Sequence, residues 1–268
     1  MSVATKQEVD SLLERLGVPR SVPSAQLLRD LQRAWGLCQP FHNLDLLAGY
    51  AAGRPPLDRR GGWLRCVDGL GGPCHVQASS FLCLLQAVGF DAHFGSATIS
   101  HPGDHLVVIC HVGGRTWLCD VGNGHPYLEP FPFDEPATAA HLGWVMRTDV
   151  TEDGLLLEQR TPGAGRWRRV YVASHERREW SDFAAAIERH HREVGFGPFL
   201  TGLRAVRIGT EVAWTLRDDV LTAHRAEGSQ QRTLADEHEE VLRSTLALGA
   251  LPVEVAVTTW RSNREAAA

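Results

Sequence analysis

Residues 105–121 read HLVVICHVGGRTWLCDV, two apolar runs on either side of a Gly-Gly pair. Runs rich in β-branched and aromatic residues favour strands, and a Gly-Gly pair is typical of a two-residue hairpin turn. If the residues that flank the turn lie opposite each other, His105 is diagonal to Asp120 on the same side of the sheet. An imidazole–carboxylate hydrogen bond is then within reach, whereas a loop of odd length would place the two side chains on opposite faces.

Cys74 is the third residue of the predicted site. It follows Gly71-Gly72-Pro73 and begins a run of apolar residues at helical spacing that ends at Gly89. At a helix N-terminus, unpaired N–H groups and the helix dipole stabilise a thiolate. We therefore predict that Cys74 is a nucleophile, that His105 is its base and ion-pair partner, and that Asp120 fixes the imidazole tautomer. Such a site suits acyl transfer through a covalent thioester.

Composition narrows the class of partner. The chain has 268 residues, enough for a sizeable core, and a formal net charge of -5 that disfavours nucleic acid. No apolar run approaches the ~18 residues of a membrane span, so no membrane partner is expected. Six dispersed cysteines, and an opening stretch MSVATKQEVD without an apolar signal core, favour a cytoplasmic protein with free thiols. We expect a small-molecule partner.

Hydrophobic periodicity divides the chain into a helical first part and a sheet-rich remainder. Helical spacing runs from Val9 to Leu47, and short β-rich runs bounded by Gly and Pro begin after Gly89. Two later helices are predicted, over 182–191 and 234–248. The strands predicted beyond the hairpin are 155–159, 203–208, 212–216 and 220–224.

Five motifs together resemble the arylamine N-acetyltransferase family over nearly the whole chain. Residues 40–45, PFHNLD, are similar to its P-F-E-N-L-D element, and residues 71–74, GGPC, to the R-G-G-x-C segment that carries its nucleophile. His105-Leu106 resembles the catalytic His that opens a strand, and residues 117–122, WLCDVG, resemble the W-x-x-D-V-G strand that bears the catalytic Asp. Residues 198–201, PFLT, are similar to a segment of the third domain.

The resemblance implies an α+β fold in three parts with a triad like that of cysteine proteases. Residues 1–88 would form an N-terminal helical bundle that carries the nucleophile. Residues 89–190 would form a central β-barrel that carries the His and Asp, and residues 191–268 a C-terminal α/β lid. The triad would then lie where the first two parts meet.

The resemblance also implies a ping-pong reaction, in which acyl-CoA acylates Cys74 and an amine then takes the acyl group. Carried over position by position, the triad is Cys74, His105 and Asp120, the same residues that the spacing indicates. Acetyl-CoA is the expected cosubstrate, with a carrier-protein thioester as an alternative donor, and no metal is expected. No residue is assigned to bind the acyl-CoA. The residues expected to bind substrate are Phe41, Gly72, Asn123, Gly124 and Phe199.

Four departures from the family pattern lie near the predicted site. His42 replaces the Glu of P-F-E-N and Leu70 replaces the Arg of R-G-G. If those residues form an ion pair in relatives, losing both together leaves no orphan buried charge. After the cysteine, residues 75–78 read HVQA where relatives have F-E-Q-N. Asn123 stands where an aromatic residue is expected, which favours a polar amine as the acceptor, such as an amino sugar or a natural-product intermediate.

Three other interpretations stay open. The same triad serves a hydrolase or an amide synthase, which differ from a transferase only in the acceptor. A non-catalytic homologue that binds a ligand is the second alternative. A metal site is the third, but the candidate ligands show neither C-x-x-C nor H-x3-H spacing. Those candidates are Cys66, Cys74, His75, Cys110, His111 and Cys119.

Overall fold

The computed structural model describes residues 3–99 and 101–267, so Met1, Ser2 and Ala268 at the ends of the predicted domains lie outside the described residues. The helices are α1 (Lys6–Leu16), α2 (Ala25–Cys38), α3 (Leu44–Ala51), α4 (Arg59–Val67), α5 (Cys74–Val88), α6 (Trp180–Arg192), α7 (His238–Ser244) and α8 (Val253–Ala266). The strands are β1 (Phe41–His42), β2 (Asp91–Thr98), β3 (His105–Val112), β4 (Arg115–Cys119), β5 (Phe131–Pro132), β6 (Ala137–His141), β7 (Trp144–Thr151), β8 (Gly154–Arg160), β9 (Arg168–Arg178), β10 (Arg204–Ile208), β11 (Ala213–Arg217), β12 (Val220–Arg225) and β13 (Gly228–Thr233).

Eight strands form a nearly closed barrel, which confirms the expected α+β fold and its central barrel. The strand order is β5-β4-β3-β2-β9-β8-β7-β6, and neighbouring strands pair antiparallel. Alternate residues of these strands point inward and fill the interior, as the strand period of two requires. Val107, Leu155, Leu157 and Tyr171 are fully buried there. The site described below is built on β3, β4 and β9 of this barrel.

Helix α5 packs on strands β2 and β3 of the barrel, and helices α1 and α4 pack on α5. Helix α1 begins with a capping box between Thr5 and Glu8, and α2 begins at the hydroxyl of Ser24, which accepts from the N–H of Leu27. Helix α5 is buried along most of its length between α4 and strands β2 and β3, which explains its many apolar residues and its lack of Asp, Glu, Lys and Arg. It ends at Gly89 in the left-handed conformation, as predicted. Within the described ranges, no helix has both the length and the apolarity to cross a bilayer.

A second sheet has the order β1-β10-β11-β12-β13. Its first strand comes from the N-terminal part of the chain, since Phe41 and His42 pair with Val206 and Ala205 of β10. Helices α3 and α8 pack against each other in the same core cluster as this sheet. The three-part division stays a proposal: β1 of the first part pairs with β10 of the third, and α6 spans the second boundary at residue 190.

The helix predicted over 234–248 is wrong in its extent. Helix α7 covers only His238–Ser244, and β13 precedes it. The leucines that suggested a longer helix are buried in irregular segments on either side of α7: Leu234, Leu246 and Leu248.

The final helix α8 was not predicted, because its sequence VEVAVTTW is rich in β-branched residues that favour strands. Val253, Ala256, Val257 and Trp260 have helical spacing and are all buried. Packing of this face decides the conformation over local propensity.

We predict that Gly71→Ala strongly destabilises the protein. Gly71 has φ +64°, and a Cβ there would overlap the carbonyl oxygen of Pro40. Gly113 has the same φ with nothing within 4 Å of its Cβ position, so Gly113→Ala is the matched control for backbone strain alone. Urea denaturation should show that the free energy of unfolding falls by about 1 kcal/mol in Gly113→Ala and by roughly 3 kcal/mol or more in Gly71→Ala. An equal fall in the free energy of unfolding of the two variants would contradict the close approach of Gly71 to the carbonyl oxygen of Pro40.

Candidate active site

Cys74 is the first residue of helix α5 and is half-buried. Pro73 is the N-cap and supplies no side-chain hydrogen bond, so the first N–H groups of the helix are left near the thiol. All six cysteines are free. Burial raises the pKa of both Cys66 and Cys110 to about 12, which keeps these two as inert thiols. Cys74 therefore has the surroundings of a nucleophile.

The loop before Cys74 is anchored to Pro40. The carbonyl oxygen of Pro40 accepts from the N–H of Gly72 at 3.1 Å and from Nε2 of Gln77 at 2.9 Å. Gln77 in turn accepts from the indole N–H of Trp35 at 2.7 Å. These buried contacts fix the start of α5, and with it the position of the thiol. They also explain why Gln77 is retained where neighbouring family residues have changed.

Strands β3 and β4 pair as predicted from the Gly-Gly turn. Val112 lies opposite Arg115, and the register continues to Val108 opposite Cys119. Nε2 of His105 lies 3.1 Å from Oδ2 of Asp120, and both side chains are buried. The hairpin therefore brings together two residues that are fifteen positions apart in the chain.

Asp120 has two further hydrogen-bond donors. The hydroxyl of Tyr171 donates to its Oδ2 at 2.8 Å, and the N–H of Gly122 donates to its Oδ1 at 3.1 Å. Burial alone would raise the pKa of Asp120, but the charge of His105 and these hydrogen bonds outweigh it and lower the pKa below the ordinary value. Tyr171 is a fully buried residue of β9 that sequence reasoning missed. Its only sequence signal is that a buried tyrosine needs a partner for its hydroxyl.

The side chain of Cys74 also lies close enough to His105 to raise its pKa. Since Nε2 is occupied by Asp120, Nδ1 is the ring nitrogen available to the thiol. Burial lowers the pKa of His105, but the charge and hydrogen bond of Asp120, followed by the contact with Cys74, raise it to about 10. His105 therefore keeps its proton at neutral pH. The structure brings together all three residues that were predicted to be catalytic.

Gly122 allows the barrel to approach the helix. A Cβ on Gly122 would lie 2.9 Å from Cα of Cys74 and 3.0 Å from its carbonyl oxygen. Real Cβ atoms do not come so close, so any side chain here would push the segment that follows β4 away from the start of α5. The glycine of the D-V-G motif thus sets the distance between Asp120 and Cys74.

A cavity of about 450 Å³ opens onto Cys74 and His105. Three of the predicted substrate-binding residues, Phe41, Asn123 and Phe199, line it. Gly124 lies behind the wall, where a Cβ would be 3.1 Å from the ring of Phe41. Gly72 lies in the loop that leads into Cys74, and a Cβ on it would be 3.0 Å from the side chain of Val76. The cavity-lining residues that sequence reasoning missed include Ile99, Val170, His125, His190, Arg204 and Arg217.

Asn43 positions part of the cavity wall. Its Nδ2 donates to the carbonyl oxygens of Phe199 and Gly202, both at 2.7 Å, and its Oδ1 accepts from the N–H of Arg204 at 2.9 Å. One side chain of the PFHNLD element therefore holds the segment 199–204 in place. The Asn of this motif is explained by that contact.

Asn123 is held by a chain of polar side chains. Its Oδ1 accepts from Nδ1 of His125, and Nε2 of His125 accepts from Nε2 of Gln159 at 3.3 Å. Oε1 of Gln159 accepts from the hydroxyl of Tyr127 at 2.7 Å. Burial, followed by the nearby charge of Arg217, lowers the pKa of His125 to about 4, so its ring is neutral. The orientation of the Asn123 amide is set by this chain.

Two histidines named above as candidate metal ligands, His111 and His75, have other partners. His111 contacts the hydroxyl of Thr116 at 3.0 Å and stacks on His93. His75 packs against His191 with ring centroids 5.2 Å apart, and burial lowers its pKa well below the ordinary value. In the part of the chain that the structure describes, no three His, Cys, Asp or Glu side chains gather as a metal site would require.

Comparisons with known proteins agree with this geometry. A profile of the N-acetyltransferase family matches residues 25–250. Proansamycin X synthase of Amycolatopsis mediterranei (strain S699) is 27% identical over 198 residues, 70% of this chain and 75% of that protein. The arylamine N-acetyltransferase of Nocardia farcinica has a TM-score of 0.79 at 25% identity, over 96% of this chain and 95% of that one.

The chain belongs to the arylamine N-acetyltransferase family. It is an acyltransferase enzyme. The enzyme of Mycobacterium abscessus has the same fold, with a TM-score of 0.82 at 22% identity over 95% of this chain and 94% of that chain. The Mycobacterium marinum enzyme in complex with CoA has a TM-score of 0.77 at 23% identity, over 96% of this chain and 97% of that chain.

In this N-acetyltransferase, His42 stands at the position of the family's P-F-E-N glutamate and makes hydrogen bonds as a neutral ring. Nε2 of His42 donates to the carbonyl oxygen of Leu70 at 2.8 Å, and its Nδ1 accepts from the N–H of Leu44 at 3.2 Å. Burial lowers the pKa of His42, so the fully buried ring is neutral. Both ring nitrogens have a partner, and the two substitutions at 42 and 70 leave no unpaired charge beneath the nucleophile.

We predict that stability falls as the pH drops from about 6.5 to about 4. An unfolded histidine binds a proton below about 6.5. Folded His125, with its pKa at about 4, does not bind one until lower pH. The unfolded state therefore takes up more protons in this window, and acid favours unfolding. Urea denaturation at several pH values in this window measures how the free energy of unfolding depends on pH. For His125→Gln this dependence should be less steep than for the wild type, by about one bound proton. A wild-type slope in that variant would contradict the neutral ring.

Proposed function

We propose that the protein moves an acyl group from a thioester donor, through a thioester on Cys74, to an amine of a polar small molecule. The observation that carries this proposal is the contact chain from Cys74 through His105 to Asp120 at the wall of the cavity. A nucleophile, a base and an orienting carboxylate in contact are the parts that acyl transfer needs. The reaction then has two halves.

In the first half, the proton rests on His105 and Cys74 attacks as the thiolate. Its Sγ bonds to the carbonyl carbon of the donor, and the carbon–sulfur bond of the donor breaks. The departing thiolate takes the proton from Nδ1 of His105. The products are acyl-Cys74, a free thiol and a neutral imidazole that Asp120 still orients.

In the second half, the amine nitrogen bonds to the carbonyl carbon of acyl-Cys74. The neutral His105 accepts the proton of the amine, and the bond between the carbonyl carbon and Sγ breaks. The amide leaves, and the thiolate and imidazolium are restored. Because Asp120 favours the charged form of His105, the ring is a strong enough base for this step.

The proposed donor is acyl-CoA, with acetyl-CoA as the first to test. Support comes from family membership and from the neighbouring fold whose structure contains CoA. A thioester of an acyl carrier protein has the same reacting bond and is the alternative donor. The six free cysteines are consistent with placing the reaction in the cytoplasm.

The proposed acceptor is a polar amine. The cavity offers the amide of Asn123 where relatives have an aromatic residue, and arginine side chains line the same cavity. An apolar wall that stacks an aryl ring is therefore partly replaced by hydrogen-bonding groups.

Amide synthesis within one molecule is the second candidate. It is favoured by the similarity to a synthase, the 27% identical proansamycin X synthase. The acyl-Cys74 intermediate would be the same, but the attacking amine would belong to the acyl chain itself. Mass analysis of single-turnover products separates the outcomes: a linear amide indicates transfer, a cyclic amide synthesis, and a free acid hydrolysis.

We predict that acetyl-CoA adds one acetyl group to the wild-type chain at Cys74 and none to Cys74→Ala. Asp120→Asn should slow acylation about a thousandfold, because the ring loses the charge that holds its proton. Tyr171→Phe should slow it about tenfold through the lost hydrogen bond to Asp120. Tyr50→Phe on α3 is the matched control and should leave the rate unchanged. Intact-mass kinetics measure all four variants, and a wild-type chain that gains no acyl mass would indicate a non-catalytic, ligand-binding homologue.

We predict that Asn123→Leu shifts the acceptor preference toward arylamines. The substitution removes the amide and adds apolar surface to the cavity wall. The ratio of kcat/KM for a polar amine to kcat/KM for aniline should fall about tenfold. A wild-type enzyme that clearly prefers aniline over amino sugars would show that the argument from Asn123 is wrong.

A further inference from the structure

Two arginines face each other across adjacent strands at the edge of the cavity. Arg204 of β10 lies directly opposite Arg217 of β11, and both line the cavity that reaches Cys74. Like charges directly opposite each other in an antiparallel pair are destabilising. Arg204 is partly buried and Arg217 is exposed, so an anion that enters the cavity can reach both and offset their repulsion.

The protein supplies only part of that compensation. Arg204 pairs with the carboxylate of Asp218 at 2.7 Å. Among residues 3–99 and 101–267, Arg217 has no carboxylate within ion-pair distance. Partial burial is the largest cause that lowers the pKa of Arg217. The nearby charges of Arg204 and of a third arginine, Arg168 of β9, lower it further. The local charge is therefore positive in a chain whose net charge is -5.

Hydrogen-bond donors predominate around Arg217. Asn123 lines the same cavity, and because its Oδ1 is occupied by His125, the amide has its N–H groups left to offer. Asp104 is the carboxylate in the cavity wall, and its two oxygens accept from the N–H groups of Ile99 and His101. A ligand group that suits this end of the cavity is an acceptor of hydrogen bonds that carries negative charge.

We propose that Arg217, with Arg204 and Asn123 beside it, binds a carboxylate on the amine acceptor. The guanidinium fork matches a carboxylate in two parallel hydrogen bonds. A cavity of about 450 Å³ suits one small molecule, so a single acceptor can reach from Arg217 to acyl-Cys74. This assignment rests on the proposed acyl transfer, because it names the substrate class that the same site selects.

The test measures protection of Cys74 from alkylation by iodoacetamide. Benzoate and benzamide are the two protecting ligands, since they have the same shape and differ in charge, and salt is matched in every sample. The variant is Arg217→Gln. The matched control is Arg169→Gln, which removes the same charge from β9. Arg169 lies opposite Glu158 and Arg168 opposite Gln159, so these neighbouring side chains point to opposite faces.

We expect benzoate to protect wild-type Cys74 at about a tenfold lower concentration than benzamide does. That advantage should vanish in Arg217→Gln and persist in Arg169→Gln. The inference is overturned if benzoate has no advantage in the wild type or if the advantage survives in Arg217→Gln. It is also overturned if protection by benzoate and protection by benzamide weaken equally in Arg217→Gln. Protection by free CoA should change less than about twofold in Arg217→Gln. An equal loss for CoA and benzoate would assign the anion to the donor and overturn the assignment to the acceptor.

The outcome is separable from that of the proposed function. Acylation of Cys74 is read from intact mass and needs no benzoate. A chain that acylates but shows no benzoate advantage keeps acyl transfer and loses the carboxylate subsite. A chain that prefers benzoate but never acylates keeps the subsite and loses acyl transfer.

Discussion

The hydrogen bond between His105 and Asp120 is the interaction on which the site depends, and it depends in turn on a two-residue turn. Because the period of a strand is two, adding one residue at Gly113-Gly114 would move the two side chains to opposite faces of the barrel. The bond lies in the barrel wall, where Tyr171 and the N–H of Gly122 hold the carboxylate. A buried carboxylate with three donors stays charged, and that charge keeps a proton on His105.

The nucleophile is delivered by a different part of the chain. Pro40 anchors the loop before α5, and Gly122 lets the segment that follows β4 come within contact distance of Cys74. Neither contact involves a charge. The replacement of the family's Glu by His42 keeps this region neutral, since His42 donates to a backbone carbonyl where an ion pair would otherwise be expected.

The parts of the site that depend on local rules were predictable from sequence. The hairpin register follows from the Gly-Gly turn, and the position of Cys74 at a helix N-terminus follows from the glycines and the apolar spacing. Tyr171 and Arg217 were not predictable, because each reaches the site from a strand distant in sequence, and nothing in its neighbours indicates a direction. Helix α8 was missed for another reason: its β-branched residues favour a strand until they pack against the core of the second sheet.

Catalysis in this site depends on a proton that Asp120 holds on His105 at neutral pH. Nitrogen-15 NMR of the His105 ring across a pH titration tests this most directly. We expect both ring nitrogens to be protonated at pH 8, the ring to titrate near pH 10, and Asp120→Asn to move the titration to lower pH. A ring that is neutral at pH 8 in the wild-type protein, with one protonated nitrogen, would contradict it.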